Sequence, residues 1–258
     1  MKKYALVTGA SKGIGKSIAW LLAQKGYNLL LVARSEAELN ALSVAITSAH
    51  QVEVHFYATD LSNPGAAAAI AAWFTGLSVP LSILVNNAGY GQWGNFDELP
   101  LPGQMAMMRV NIDAVVELSH YFIPFLKLQQ QAYILNVSST TAYQAVPTMA
   151  IYAAAKVFVL SFSRALRYEL KNTPVSVSCL CPGPTDTNFV HRAGMDAIAE
   201  LAAKFNMTPD DVAAIGIAGM FANKAEIVPG FLNKLSSTAA RHSPKRLIER
   251  ITAGLYKQ

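Results

Sequence analysis

Short, almost uninterrupted apolar runs recur along this chain, and each ends in a turn and gives way to a segment with helical spacing. The runs occupy residues 4–8, 27–33, 52–58, 81–85, 132–137 and 175–180. A strand with one wet face alternates apolar and polar residues, whereas a continuously apolar strand is covered on both faces. The intervening segments read as helices. Residues 17–26 place Ile18, Ala19, Leu21 and Leu22 at helical spacing before a glycine stop. Ser35-Glu36-Ala37-Glu38 has the pattern of a capping box, and Thr208-Pro209-Asp210-Asp211 that of a capped start with proline in the first turn. A long helix is expected over 104–128, with Pro124 kinking it or ending it early. Strand and helix alternate as far as about residue 183. This order predicts an α/β fold, a three-layer, doubly wound parallel sheet of about seven strands, the last over 225–228.

No linker, fixed-period repeat or composition break divides the 258 residues, so a single domain over 1–258 is expected. Within it, residues 184–207 read as a flap and 230–258 as a basic helical tail. Hydrophobic residues make up 52% and charged residues 14%, which suits a thickly buried sheet. The apolar run after Met1-Lys2-Lys3 stops at Thr8-Gly9, too early for a secretory signal, and the run 66–74 stops short of membrane-spanning length. Cys179 and Cys181 are expected on opposite faces of a strand, without a mutual disulfide. A soluble, cytoplasmic protein follows from these signs. From Lys224 onward Lys224, Lys234, Arg241, Lys245, Arg246, Arg250 and Lys257 stand against Glu226 and Glu249, so the tail holds the whole net charge of +5. No basic stripe interleaved with aromatics suggests nucleic acid, and the five scattered histidines offer no metal-ligand spacing.

Chemistry enters at Ile151-Tyr152-Ala153-Ala154-Ala155-Lys156. Tyr and Lys at i and i+4 share one helix face. A phenol ordinarily titrates near 10, and a neighbouring ammonium favours its phenolate, bringing it toward a range where it can trade protons. Upstream, Gly9, Gly13 and Gly15 form a turn between the first strand and the first helix. Such a turn lets backbone amides approach a pyrophosphate. Gly9-Ala10-Ser11-Lys12-Gly13 also fits the nucleophile elbow of a serine hydrolase. Too little chain precedes Ser11 to build an oxyanion site, and no His motif follows.

Thr8-Gly9-Ala10-Ser11-Lys12-Gly13-Ile14-Gly15, Asn86-Asn87-Ala88-Gly89, Asn111, Ser139, Tyr152-x-x-x-Lys156 and Pro182-Gly183 together resemble the short-chain dehydrogenase/reductase family, over about residues 4–187. The resemblance implies a Rossmann fold and an NAD(P)-dependent oxidoreductase, a homodimer or homotetramer as its relatives usually are. It implies that Tyr152 is the general acid/base, that Lys156 lowers the Tyr pKa and bonds the nicotinamide ribose, and that Ser139 bonds the substrate oxygen. Ser139 rather than Ser138 has the family's spacing to Tyr152. Asn111 would hold a water linking Lys156 to solvent. Gly9, Ser11, Lys12, Gly13, Ile14 and Gly15 would take the pyrophosphate end, Asp60 and Leu61 the adenine, and Asn87, Ala88 and Gly89 the ribose side. Pro182, Gly183, Thr185 and Thr187 would lie toward the carboxamide.

Charge argues for NADP(H) over NAD(H). The second strand ends at Ala33-Arg34 rather than at an acid, with Lys12 opposite, so two cations and no acid await a 2′-phosphate. Tyr90, Trp93, Tyr143, Met149 and Phe189 are expected at the pocket mouth and hint at an apolar ketone or aldehyde. Leu247, Ile248, Ile251 and Leu255 form a stripe on the last helix. That stripe is expected to pack on the core or across a subunit interface, the alternatives being an anionic membrane surface or an acidic substrate carrier. The reading is a carbonyl reductase. Its rival of a different class is a dinucleotide-binding sensor without catalysis, which would not need the Ser, Tyr, Lys and Asn together.

Overall fold

A computed structural model describes residues 3–187, 193–194 and 206–255. Its sheet has seven parallel strands: β1 (Tyr4–Thr8), β2 (Asn28–Ala33), β3 (Val54–Ala58), β4 (Leu81–Asn86), β5 (Ala132–Val137), β6 (Val175–Leu180) and β7 (Glu226–Ile227). Their spatial order is β3-β2-β1-β4-β5-β6-β7. The helices are α1 (Gly13–Gln24), α2 (Glu36–His50), α3 (Ala66–Leu77), α4 (Leu101–Met108), α5 (Ala114–Leu126), α6 (Ala150–Glu169), α7 (Pro209–Phe221), α8 (Phe231–His242) and α9 (Lys245–Leu255). This is the three-layer Rossmann arrangement.

The strand period of two sorts each apolar run between two cores. Ala5, Val7, Leu29 and Leu31 face one, with Ile18 and Leu22 of α1, Leu39 of α2 and Ile217 of α7. Tyr4, Leu6, Leu30 and Val32 face the other, with Ile70 and Phe74 of α3, Phe122 of α5 and Leu166 of α6. Each such side chain contributes roughly 2 kcal/mol by leaving water, so runs that are apolar throughout are stable only between two helical layers. Because β4 follows β3 in sequence but pairs with β1 on its other side, the chain reverses its direction of travel there. The turns after β1 and β4 consequently meet at a crevice.

Several local expectations need correcting. The segment 104–128 is broken by a π-helical turn at Arg109–Asp113 rather than by Pro124, which lies inside α5 near its end. The capping box is half-made. Ser35 Oγ accepts from Glu38 N at 3.3 Å, but the Glu38 carboxylate turns to Lys12. Residues two apart on a strand share a face, so the sulfurs of Cys179 and Cys181 lie together, 3.8 Å apart, as buried free thiols. On α9, Leu247 and Ile251 are exposed instead of packed on the core, and the Leu255 side chain lies outside the described residues. The α7 start behaves as expected, with Thr208 Oγ1 accepting from Asp211 N at 3.1 Å.

Candidate active site

The crevice is built first by Thr8. Its buried hydroxyl donates to Val85 O (3.3 Å) and accepts from Asn87 N and Ala88 N (3.0 Å each), stitching the end of β1 to the turn after β4. Asn87 Nδ2 donates to Thr8 O at 2.9 Å and Gly9 O at 3.3 Å. Its side-chain NH2 is thereby spent on the glycine turn, and Asn87 braces that turn. Gly9 (φ 63°) and Gly13 (φ 53°) take left-handed backbone that disfavours other residues. A Cβ on Gly15 would collide with the Gly9 carbonyl and the Asn87 amide, and one on Gly13 would lie 3.0 Å from Thr187 Cγ2. No side chain caps α1, and its first turn carries no acid, so the amides around Gly13, Ile14 and Gly15 face the crevice as an anion cradle. The glycines, the uncapped helix and Thr187 above them fit a dinucleotide's pyrophosphate.

Beyond β2 the charges are paired. Lys12 Nζ lies 2.7 Å from Glu38 Oε1, and Arg34 lies 3.7 Å from Asp60, whose Oδ1 also accepts from Ser62 N and Oγ. Lys12 holds the Glu38 carboxyl below the usual carboxylate range against the opposing push of burial, with a lesser contribution from Ser11. The expectation of two cations and no acid is therefore incorrect, because Glu38 faces Lys12. Leu61 tucks partly into the second core.

Across the crevice, α6 begins at Ala150 and turns Tyr152 and Lys156 inward, 7% and 4% exposed. Lys156 Nζ sits 5.6 Å from the Tyr152 ring centroid and donates to Val137 O at 3.0 Å. Burial pushes the ammonium down to about 8, while Cys179 and Cys181 pull weakly the other way. A Cβ on Gly89 would lie 3.2 Å from Lys156 Nζ and 2.9 Å from Asn111 Oδ1, so all three meet at one point where only glycine fits. Asn111, in the π-helical turn, uses its amide to hold Tyr90. Its Oδ1 accepts from Tyr90 N (3.1 Å), and its Nδ2 donates to Tyr90 O (2.9 Å). Ser139 Oγ accepts from Thr141 N at 3.2 Å at the head of a 3₁₀ turn, Thr140–Tyr143. Ser138 instead donates to the Lys156 carbonyl at 2.7 Å, as befits a strand-end residue.

The rotation of α6 is fixed by a buried polar chain that periodicity did not reveal. Asn86 Nδ2 donates to Asn136 Oδ1 (2.8 Å), and Asn136 Nδ2 donates to Ser163 Oγ (2.9 Å). Two asparagines at the ends of otherwise apolar strands were the available signal.

On the substrate side, Tyr90, Trp93 and Met149 gather with Met107, Val146 and Ile151 around Tyr152. Trp93 N donates to Ala193 O at 2.9 Å. Tyr143 is not in this group. Its hydroxyl donates to Glu226 at 2.7 Å, its ring packs beside Cys179 and Cys181 under Arg241, and burial raises its pKa. Phe189 lies outside the described residues, as does most of the expected flap. Pro182 O accepts from Thr140 N (2.9 Å), Thr185 Oγ1 donates to Gly183 O (3.0 Å), and the Asn233 side chain occupies the space a Cβ on Gly183 would need. Asn233 and Glu226, both distant in sequence, were not expected to support these loops. Among the described residues, no cluster of His, Cys, Asp or Glu could hold a metal ion.

The profile of the short chain dehydrogenase family matches residues 3–197. The chain belongs to that family. It is 34% identical over 184 residues to very-long-chain 3-oxoacyl-CoA reductase-A of Danio rerio, which is 70% of this chain and 57% of that protein. It therefore spans less than two thirds of that relative's length. A 7beta-hydroxysteroid dehydrogenase of Collinsella aerofaciens is 29% identical over 210 residues, covering 81% of this chain and 79% of its own. Among solved structures, a short-chain dehydrogenase from Sphingobium yanoikuyae in complex with NADPH superposes with a TM-score of 0.82 at 27% identity, covering 95% of this chain and 96% of that one. One from Burkholderia phymatum in complex with NAD gives 0.82 at 25% identity, covering 92% of each chain. The structural neighbours of the chain thus include family members bound to NADPH and to NAD.

Proposed function

We propose that the chain is an NADPH-dependent carbonyl reductase for an apolar ketone or aldehyde, and in reverse an oxidant of the matching alcohol. The observation that carries this reading is the buried Lys156 ammonium beside Tyr152, walled by Gly89 and Asn111. When bound, the nicotinamide supplies or takes up the hydride. Tyr152 gives its hydroxyl proton to the carbonyl oxygen as that hydride arrives, and the Lys156 charge stabilises the phenolate left behind. Ser139 accepts from Thr141, which leaves its own proton to hold the substrate oxygen. Asn111 keeps the Tyr90 backbone, and with it one side of the apolar cluster, in place.

Support for NADPH comes from Lys12 and Arg34, both more than half exposed and able to turn toward a 2′-phosphate. Glu38 works against it, because the phosphate must draw Lys12 away from that carboxylate. The apolar ring around Tyr152, and relatives named for steroids and very-long-chain acyl groups, support an apolar substrate.

The test is NADPH oxidation with a panel of aliphatic, aromatic and steroid ketones, run on wild type and Tyr152→Phe. Removing the acid is expected to lower kcat by about 10²–10⁴ while NADPH affinity, read by nucleotide fluorescence, holds. Undiminished turnover in Tyr152→Phe sinks the mechanism. Absence of turnover in wild type, with NADPH still bound, favours a sensor. In the same assay Arg34→Ala is expected to lose preference for NADPH over NADH, and equal preference in both proteins removes the cofactor assignment.

A further inference from the structure

The inner side of the C-terminal helices is fastened to the segments that border the Tyr152 cluster. Asn233 Nδ2 donates to Pro229 O at 2.9 Å and lies against Gly183. Arg241 bonds Glu226 and covers the Tyr143 ring at 4.4 Å. Thr252, almost fully buried, donates to Ala145 O at 3.1 Å, next to Val146 of the pocket cluster. These helices therefore sit beside the substrate side of the site.

Their outer side is covered by nothing among the described residues. Leu232 and Leu235 (i, i+3) share a face of α8 behind Phe231, and Leu247 and Ile251 (i, i+4) share a face of α9. Their exposures run from 51% for Leu247 and Ile251 to 79% for Phe231. Lys234, Lys245, Arg246 and Arg250 are exposed on the same two helices, and the single acid there is Glu249. A water-facing helix keeps its apolar residues inward, and one that shows large apolar residues with cations around them has the composition of an interfacial helix.

We propose that α8 and α9 rest this face on an anionic lipid bilayer. The charge disfavours the simplest competitor. A two-fold contact between copies would set the basic cluster against itself, since an isologous interface pairs a patch with its own image. Both helices are too short to cross a bilayer. They lie in its surface, with Phe231, Leu232, Leu235, Leu247 and Ile251 among the acyl chains and the cations at the headgroups. Docked this way, the chain holds its apolar pocket rim next to the phase in which an apolar carbonyl compound concentrates. The docking itself does not depend on the cofactor or on the reaction.

Sedimentation with vesicles of equal parts phosphatidylglycerol and phosphatidylcholine, and with phosphatidylcholine alone, tests this. Wild type is expected to pellet with the anionic vesicles, to stay in solution with the neutral ones, and to be released by molar salt. The charge reversal Lys245→Glu/Arg246→Glu/Arg250→Glu and the apolar variant Leu235→Ser/Ile251→Ser are each expected to lower partitioning by at least about tenfold. Both alter exposed side chains, and circular dichroism with a melting curve checks that they fold. Failure of wild type to pellet overturns the proposal, as does equal pelleting on both vesicle types or in the variants. A concentration-dependent dimer abolished by Leu235→Ser/Ile251→Ser, in a protein that ignores vesicles, assigns the face to a second copy instead.

Discussion

Holding the Lys156 ammonium on the inner face of α6 costs folding free energy. Desolvation lowers its pKa from 10.5 to about 8, so between these values the unfolded chain carries a proton that the folded chain has released. Stability from this group therefore rises with pH across that window, and below it the full cost is present, roughly 3 kcal/mol at pH 7. Lys156→Met is accordingly expected to melt higher than wild type at pH 7, with the gap closing as the pH approaches 10, while reduction is lost. Thermal melts of both proteins across that range check the sign. A gap that widens with pH contradicts it. The pairing of Tyr152 with Lys156 was readable because both sit on one helix at fixed spacing. Glu38 was not, because the direction its carboxylate takes depends on Lys12, twenty-six residues earlier. Tyr143 was misplaced for the same reason, since Glu226 draws its hydroxyl away from the pocket.

At the scale of the element, α6 carries the proposed reacting pair, but the strands set its rotation. Asn136 bonds both Asn86 and Ser163 in a buried layer, so Asn136→Leu removes two buried hydrogen bonds, leaving Asn86 Nδ2 only the longer bond to Ser119 Oγ (3.3 Å) and Ser163 Oγ only its own bond to the Val159 carbonyl (2.6 Å). The expected loss is about 2 kcal/mol by denaturant unfolding, with lowered kcat as the helix turns. Combining it with Ser163→Ala should cost less than the sum, because one shared bond is counted twice. An additive result would show that the bond contributes nothing. Most elements could be drawn from periodicity and punctuation, including the two-residue β7 and the Thr208 cap. The break at Arg109–Asp113 could not, as no Gly or Pro marks it. The strongest breaker, Pro124, is tolerated. It deprives only the His120 carbonyl of a helical donor, and His120 lies on the exposed side of α5.

For the whole molecule, strands apolar on both faces made a covered parallel sheet legible. The reversal between β1 and β4 brings the Gly9 turn to Asn87, and no local pattern encodes that meeting; it is secured by Thr8 and Asn87 across nearly eighty residues. The same sheet buries Cys179 and Cys181 completely, between β6 and its covering helix. A chromophoric thiol reagent therefore has no target in the native protein and two in the opened one. Its colour is expected to develop in a single phase, both sulfurs together, at the rate at which the whole sheet comes apart. Prompt labelling of one sulfur in native buffer would contradict this. The paired thiols act as a built-in clock for unfolding, readable in a spectrophotometer without any introduced label.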